Sequence, residues 1–145
     1  MKQKLSIKNV IIAASIVTAV ASLVLIDHHR VQTDFIGLKA DLLRIRLQSV
    51  TENKPLIVKF NGDEVSVLGF PNGPMLETLQ FSTLSEIMYD TTIGKDMIVF
   101  HNGTTSFHNK RVHGGEIVLK SWLGFSKHIH VNCAGLVQEG RYPEN

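Results

Sequence analysis

The sequence predicts an α+β protein, with one long N-terminal helix, apolar first and amphipathic later, packed on an antiparallel β-sheet domain. Three observations carry this reading. Val10 to Ile26 contains no charge, Val31 to Val50 contains no proline and keeps its apolar residues at helical spacing, and from Pro55 onward short apolar runs alternate with Gly-, Asn- and Pro-rich breaks. The chain divides accordingly into a basic tip (1–9), a transmembrane helix (10–26), its amphipathic continuation (27–54) and a β-rich domain (55–145). Of 145 residues, about 90 to 100 remain for the domain, enough for one core.

The run Val10 to Ile26 falls slightly below the roughly 20 residues that span a bilayer, and Leu5 and Ile7 extend it upstream. Lys2, Lys4 and Lys8 precede it, while Asp27, His28, His29 and Arg30 follow. The cationic excess before the run predicts a single-pass protein of the cell membrane, with a cytoplasmic N-terminus and a periplasmic or extracellular C-terminal domain. A secretory signal peptide shares the basic start, and Ala19-Val20-Ala21 has a small-x-small form. The apolar run nevertheless continues past that point into a helical pattern, which favours an uncleaved anchor. Ala13, Ala14, Ser15, Ala19, Ala21 and Ser22 are small enough to let another helix approach closely.

Beyond the span, Val31, Phe35, Leu38, Leu42 and Ile45 form one stripe, and Ile36, Leu43, Leu47 and Val50 a second. One stripe suffices to bury a helix on its own domain. The second either faces a neighbouring subunit or widens the face tucked under a curved sheet. Pro55 ends the helix near Glu52 to Lys54. Strands are expected at Leu56 to Phe60 and Glu64 to Leu68 around Asn61-Gly62-Asp63, then at Thr78–Phe81, Ile87–Tyr89, Met97–Phe100, Ser106–Asn109, Glu116–Ser121 and His128–Cys133. Alternation puts Ile117, Leu119, Ile129, Val131 and Cys133 on one buried face. Cys133, the single cysteine, is expected as a buried thiol in a strand and excludes an internal disulfide.

A basic tip and a membrane helix running unbroken into an amphipathic helix and a β domain resemble the architecture of type IV pilin-like subunits. Met97 to Arg141 more specifically resembles the last strands of the H-type pseudopilins of type II secretion and the D-type competence pseudopilins, through Val99, Phe100 and Gly103, then Gly115, Ile117 and Leu119, then Ile129, Val131 and Gly135. Asp41 to Phe60 looks like the same family's junction between helix and first strand. The resemblance implies a pilin-like fold and a minor structural subunit of a type II secretion, type IV pilus or competence pseudopilus. Its partners would be other pilin-like subunits and inner (cytoplasmic) membrane lipid, with exported cargo or DNA-uptake machinery as further contacts. The assembly helix would act through Val10, Ile11, Ala14, Val17, Ala21, Leu25, Phe35, Leu42, Leu43 and Leu47. The family's leader carries a glycine, a phenylalanine and a glutamate at the fifth mature position. Here Leu5-Ser6-Ile7-Lys8-Asn9-Val10-Ile11 puts Ile11 at the glutamate position if Ser6 replaces the glycine, so peptidase processing does not carry over. The alternative is a signal-anchored extracytoplasmic β domain that binds a ligand or envelope partner outside any filament.

The net charge of +2, spread singly, predicts no direct nucleic-acid binding. His128-x-His130, with His113 or His108 nearby in the pattern, lacks the acidic or thiolate ligands that complete a metal site. Cys133 has no nucleophile-elbow context, and Asp63-Glu64 belongs to a turn. No catalytic residue, metal or cofactor is predicted, and no enzymatic activity. Asn102-Gly103-Thr104 reads as a hairpin turn rather than a glycan acceptor. Trp122, Leu123 and Phe125 around Gly124 read either as a partner-facing loop tip or as core.

Overall fold

The computed structural model describes residues 7–69, 73–88, 90–91, 94–105 and 114–140. The expected strand at Ser106–Asn109, His108, His113, Tyr89, and the leader residues Leu5 and Ser6 lie outside the described residues. A single helix, α1 (Ile7–Thr51), carries the apolar run into the amphipathic segment without interruption. It ends as the sequence requires. Lys54 N–H donates to Ser49 O and Asn53 N–H to Val50 O, and Asn53 takes a positive φ of 48°. That is a Schellman cap with asparagine in the left-handed position, and Pro55 directs the chain away.

The strands are β1 (Leu56–Asn61), β2 (Glu64–Gly69), β3 (Met75–Gln80), β4 (Leu84–Met88), β5 (Asp90–Thr91), β6 (Gly94–Lys95), β7 (Met97–His101), β8 (Thr104–Thr105), β9 (Gly114–Lys120), β10 (Ser126–Asn132) and β11 (Val137–Glu139). All pair antiparallel. The single sheet expected from the sequence is in fact divided: one sheet has the order β3-β2-β1-β7-β8, a second β11-β10-β9-β4, and β5-β6 forms a small separate ladder. Two sheets arise because β9 pairs with β4 and β10, while β1 sits between β2 and β7. The sheets meet where Thr105 N–H donates to Cys133 O at 3.0 Å and Thr105 Oγ1 to Asn132 O at 2.7 Å.

The turns follow local chemistry. Asn61 pairs with Glu64, leaving Gly62-Asp63 as the loop, with Gly62 at φ 63° in the position that type II′ hairpins reserve for glycine. Between β7 and β8, Asn102 and Gly103 both take positive φ, 50° and 76°, the type I′ pair that Asn-Gly favours.

The first helical stripe, Val31, Phe35, Leu38, Leu42 and Ile45, is buried against both sheets together with Leu56, Val58, Phe60, Ile98, Phe100, Ile117, Leu119, Ile129 and Val131. Burying each such side chain contributes roughly 1.5–3 kcal/mol. Cys133 departs from expectation: it is exposed. The strand stops one residue earlier, at Asn132, whose Oδ1 accepts from Leu136 N–H at 3.0 Å and whose carbonyl accepts from Gly135 N–H at 2.8 Å. This turn carries the thiol out of the strand's alternation.

Candidate membrane anchor and assembly surface

The 20 residues 7–26 of α1 are all exposed. Within α1 lies a window long and apolar enough to cross a membrane, none of it buried. At ~1.5 Å per residue this segment is about 30 Å long, the thickness of a bilayer's hydrocarbon core. Its three hydroxyl side chains fold back on the helix: Ser15 donates to Ile11 O (3.0 Å), Thr18 to Ala14 O (2.9 Å) and Ser22 to Thr18 O (2.9 Å). An apolar surrounding would therefore leave no hydroxyl proton of the segment without an acceptor.

The exposed segment ends at a charged residue that sequence reasoning treated only as a flank. Asp27 is 1% exposed, and its Oδ2 accepts from Leu123 N–H at 3.0 Å, in the turn joining β9 to β10. The next residue, His28, meets Phe125 edge to face, centroids 5.3 Å apart. Asp34 does the same for the segment before β4: its Oδ2 accepts from Thr83 N–H and Thr83 Oγ1, both at 2.9 Å, and from Ser82 Oγ at 3.3 Å. Near the helix end, Arg46 Nε donates to Gly103 O at 2.8 Å, and Ser49 Oγ accepts from Gly103 N–H at 3.2 Å. The helix thus holds loops of both sheets by side-chain hydrogen bonds along its length.

Arg44 closes the helix against β3. Its guanidinium donates to Glu77 at 2.6 Å and to Asp41 at 3.2 Å. The hydrogen bond that Arg44 donates to Glu77 is the main cause that raises the Arg44 pKa above its ordinary value.

The predicted assembly residues separate into two groups. Val10, Ile11, Ala14, Val17, Ala21, Leu25, Leu43 and Leu47 are exposed. Phe35 and Leu42 are instead buried in the chain's own core, and the ammonium groups of Lys39 and Lys127 lie 5.8 and 5.2 Å from the Phe35 ring centroid. A neighbouring helix cannot reach them. Ile36, Leu43, Leu47 and Val50 all stay outside, with Leu47 63% exposed. Of the two readings of the second stripe, a widened buried face is excluded. At about 100° per residue, this outer seam points the same way as Ile11, Ala14, Thr18 and Leu25 on the exposed segment, about 130° round the helix from the buried stripe.

The remaining candidates are placed as follows. His128 Nδ1 contacts Glu116 Oε1 across β9 and β10. Among the described residues no group of three or more His, Cys, Asp or Glu is arranged to hold a metal ion. Trp122, Leu123 and Phe125 are exposed at the β9–β10 tip, not in the core.

No protein-family model matches the sequence, and neither a curated protein nor a solved structure is significantly similar to it.

Proposed function

We propose that this chain is a membrane-anchored structural subunit that works by assembly, a minor pilin-like subunit of the pseudopilin kind. In this reading the segment 10–26 lies in the membrane with the N-terminus in the cytoplasm, and the β domain stands on the other side. The observation that carries the proposal is the outer seam: Ile36, Leu43, Leu47 and Val50 stay exposed on the domain half of α1, in line with the exposed Ile11, Ala14 and Leu25 below. Helices that meet along one line through both the membrane and the domain layer have this form. An isolated anchor needs apolar residues only within the bilayer, and four large ones continuing beyond it cost solubility unless a neighbour covers them. The resemblance of Met97 to Arg141 to the last pseudopilin strands supports the same reading.

The test is cysteine cross-linking in the host membrane. Cys133 is exposed, so C133S is the starting background. L43C or L47C is expected to give adducts with other pilin-like subunits, whereas a cysteine well round on the polar side, Q48C, gives none. Monomer alone from every seam variant would sink the filament reading and leave the anchored binding module. The intact mass of the N-terminus, with and without a prepilin peptidase, then decides whether the leader is cut near Ser6.

A further inference from the structure

The β9–β10 tip, Ser121 to Ser126, has features that assembly through the seam does not use. It presents Trp122, Leu123 and Phe125 to the outside, Trp122 being 68% exposed. Such a cluster in water is costly unless something covers it. Its position indicates what does. Leu123 N–H is bonded to Asp27, and Asp27 directly follows Ile26, the last residue of the exposed apolar segment. The tip therefore sits at the level where the helix would leave the bilayer, and Leu23 and Val24, one turn before Asp27 on the same helix face, lie below it.

Four of the tip's backbone amides are already bonded within the chain. Gly124 N–H donates to Ser121 O (3.1 Å), Phe125 N–H to Ser121 Oγ (3.0 Å), Ser121 N–H to Phe125 O (2.8 Å) and Leu123 N–H to Asp27 Oδ2 (3.0 Å). These four amides keep their partners on leaving water, which lowers the cost of seating irregular backbone at the edge of the lipid. The side chains match the interfacial layer, where tryptophan and other aromatics concentrate, and the exposed Lys120 just before the tip has a stem long enough to reach headgroup level. Asp27 also faces away from the outer seam, so a helix packed on neighbours along that seam turns the tip toward lipid.

We propose that Trp122, Leu123 and Phe125 form a second membrane contact, seated in the interfacial layer of the leaflet from which the helix emerges. The bilayer itself is the occupant. The inference rests on the reading of 10–26 as a membrane anchor, though not on filament assembly. Two attachments, the span and the tip, fix both the depth of the domain and the rotation of α1 about its axis, and so the direction in which the seam faces.

Trp122 is the only tryptophan of the chain, so the unmodified protein reports on the tip directly. The full chain is reconstituted in phosphatidylcholine–phosphatidylglycerol vesicles carrying nitroxide lipids labelled at a shallow or a deep position. Blue-shifted Trp122 emission is expected, quenched more by shallow than by deep labels, protected from aqueous iodide and unchanged as protein is diluted in lipid. A V17W variant in the W122F background reports on the span. Water-like emission and full iodide quenching at Trp122, while V17W is quenched by the deep label, would overturn the tip contact and leave the anchor standing. Protection of Trp122 that vanishes on dilution would overturn it in favour of a protein neighbour. Absence of lipid quenching at V17W would remove the anchor, and the tip contact with it.

Discussion

Asp27 Oδ2 and Leu123 N–H, 96 residues apart in sequence, are joined by a hydrogen bond of 3.0 Å at the point where the exposed apolar helix gives way to the folded domain. The carboxylate is buried, and a buried charge is tolerated only with partners. Replacing it by alanine leaves the Leu123 amide without that acceptor, at a cost of about 1–3 kcal/mol. The variant D27N keeps a carbonyl oxygen in place and is expected to lose less. Hydrogen exchange of the full chain in detergent checks this: the Leu123 amide is expected to exchange much faster in D27A than in D27N, with protection of the β1 amides retained. Equal exchange in all three proteins would show that the bond does not hold the tip.

The two helical stripes predict opposite phenotypes for the same substitution. Leu42 is 0% exposed in the core, so L42A is expected to cost about 2–5 kcal/mol through lost burial and the cavity left behind. Leu47 is exposed, and L47A is expected to change stability by less than about 0.5 kcal/mol while reducing cross-linking along the seam. Thermal unfolding in detergent and cross-linking yield are the two readouts. A strongly destabilised L47A would show that Leu47 already serves the chain's own fold.

Gly135 and Gly103 lie so close that a Cβ on Gly135 would come within 2.0 Å of the Gly103 carbonyl oxygen, and Gly135 itself takes φ 72°. Gly124 also has positive φ, 91°, but open space around it. G124A is therefore expected to cost about 1 kcal/mol from backbone strain alone. G135A must in addition push apart the contact between the β7–β8 turn and the β10–β11 turn, and so should destabilise markedly more. Parallel denaturant melts check the order. Similar losses for both would mean that the two turns can separate without consequence.

What was legible in the sequence was local. The Asn102-Gly103 turn, the stop before Pro55 and the 3.6-residue spacing of Val31, Phe35, Leu38, Leu42 and Ile45 each have a cause within a few residues, and each is found in the structure. Division into two sheets was not legible, because it depends on β4 pairing with β9 and β1 with β7 across long stretches of chain. β8 and β11, two and three residues long, are too short to show a period. Asp27 looked like a membrane flank because burial of a carboxylate is decided by an amide far along the chain. The alternation of β10 was read one residue too far, to Cys133, because the Asn132 side chain that closes the turn gives no signal in an apolar-polar pattern.

The Arg44–Glu77 pair is expected to matter little. Its side chains are 46% and 39% exposed, and exposed ion pairs contribute about 0–1 kcal/mol, so E77Q should lower stability by no more than that. The raised Arg44 pKa gives a contribution that is fully present below the unfolded value and lost only as pH rises through the folded one. Both lie far above neutrality, so between about pH 5 and 9 the arginine itself adds no slope to stability. Melting wild type and E77Q across that range tests this. A difference that grows toward high pH within it would contradict the assignment.

Cys133 gives a direct test of topology. It is the single cysteine, it is exposed in the turn after β10, and it belongs to the domain proposed to lie across the membrane from the N-terminus. A membrane-impermeant maleimide applied to cells with an intact inner membrane, the outer membrane being opened where there is one, is expected to label it as fully as after lysis. Labelling that requires lysis would place the domain in the cytoplasm and reverse the orientation inferred from Lys2, Lys4 and Lys8. Labelling of protein released into the medium, with none left in the membrane, would mean that the apolar segment had been cut away as a signal sequence, and the outer seam of α1 would then have to find its neighbours in solution.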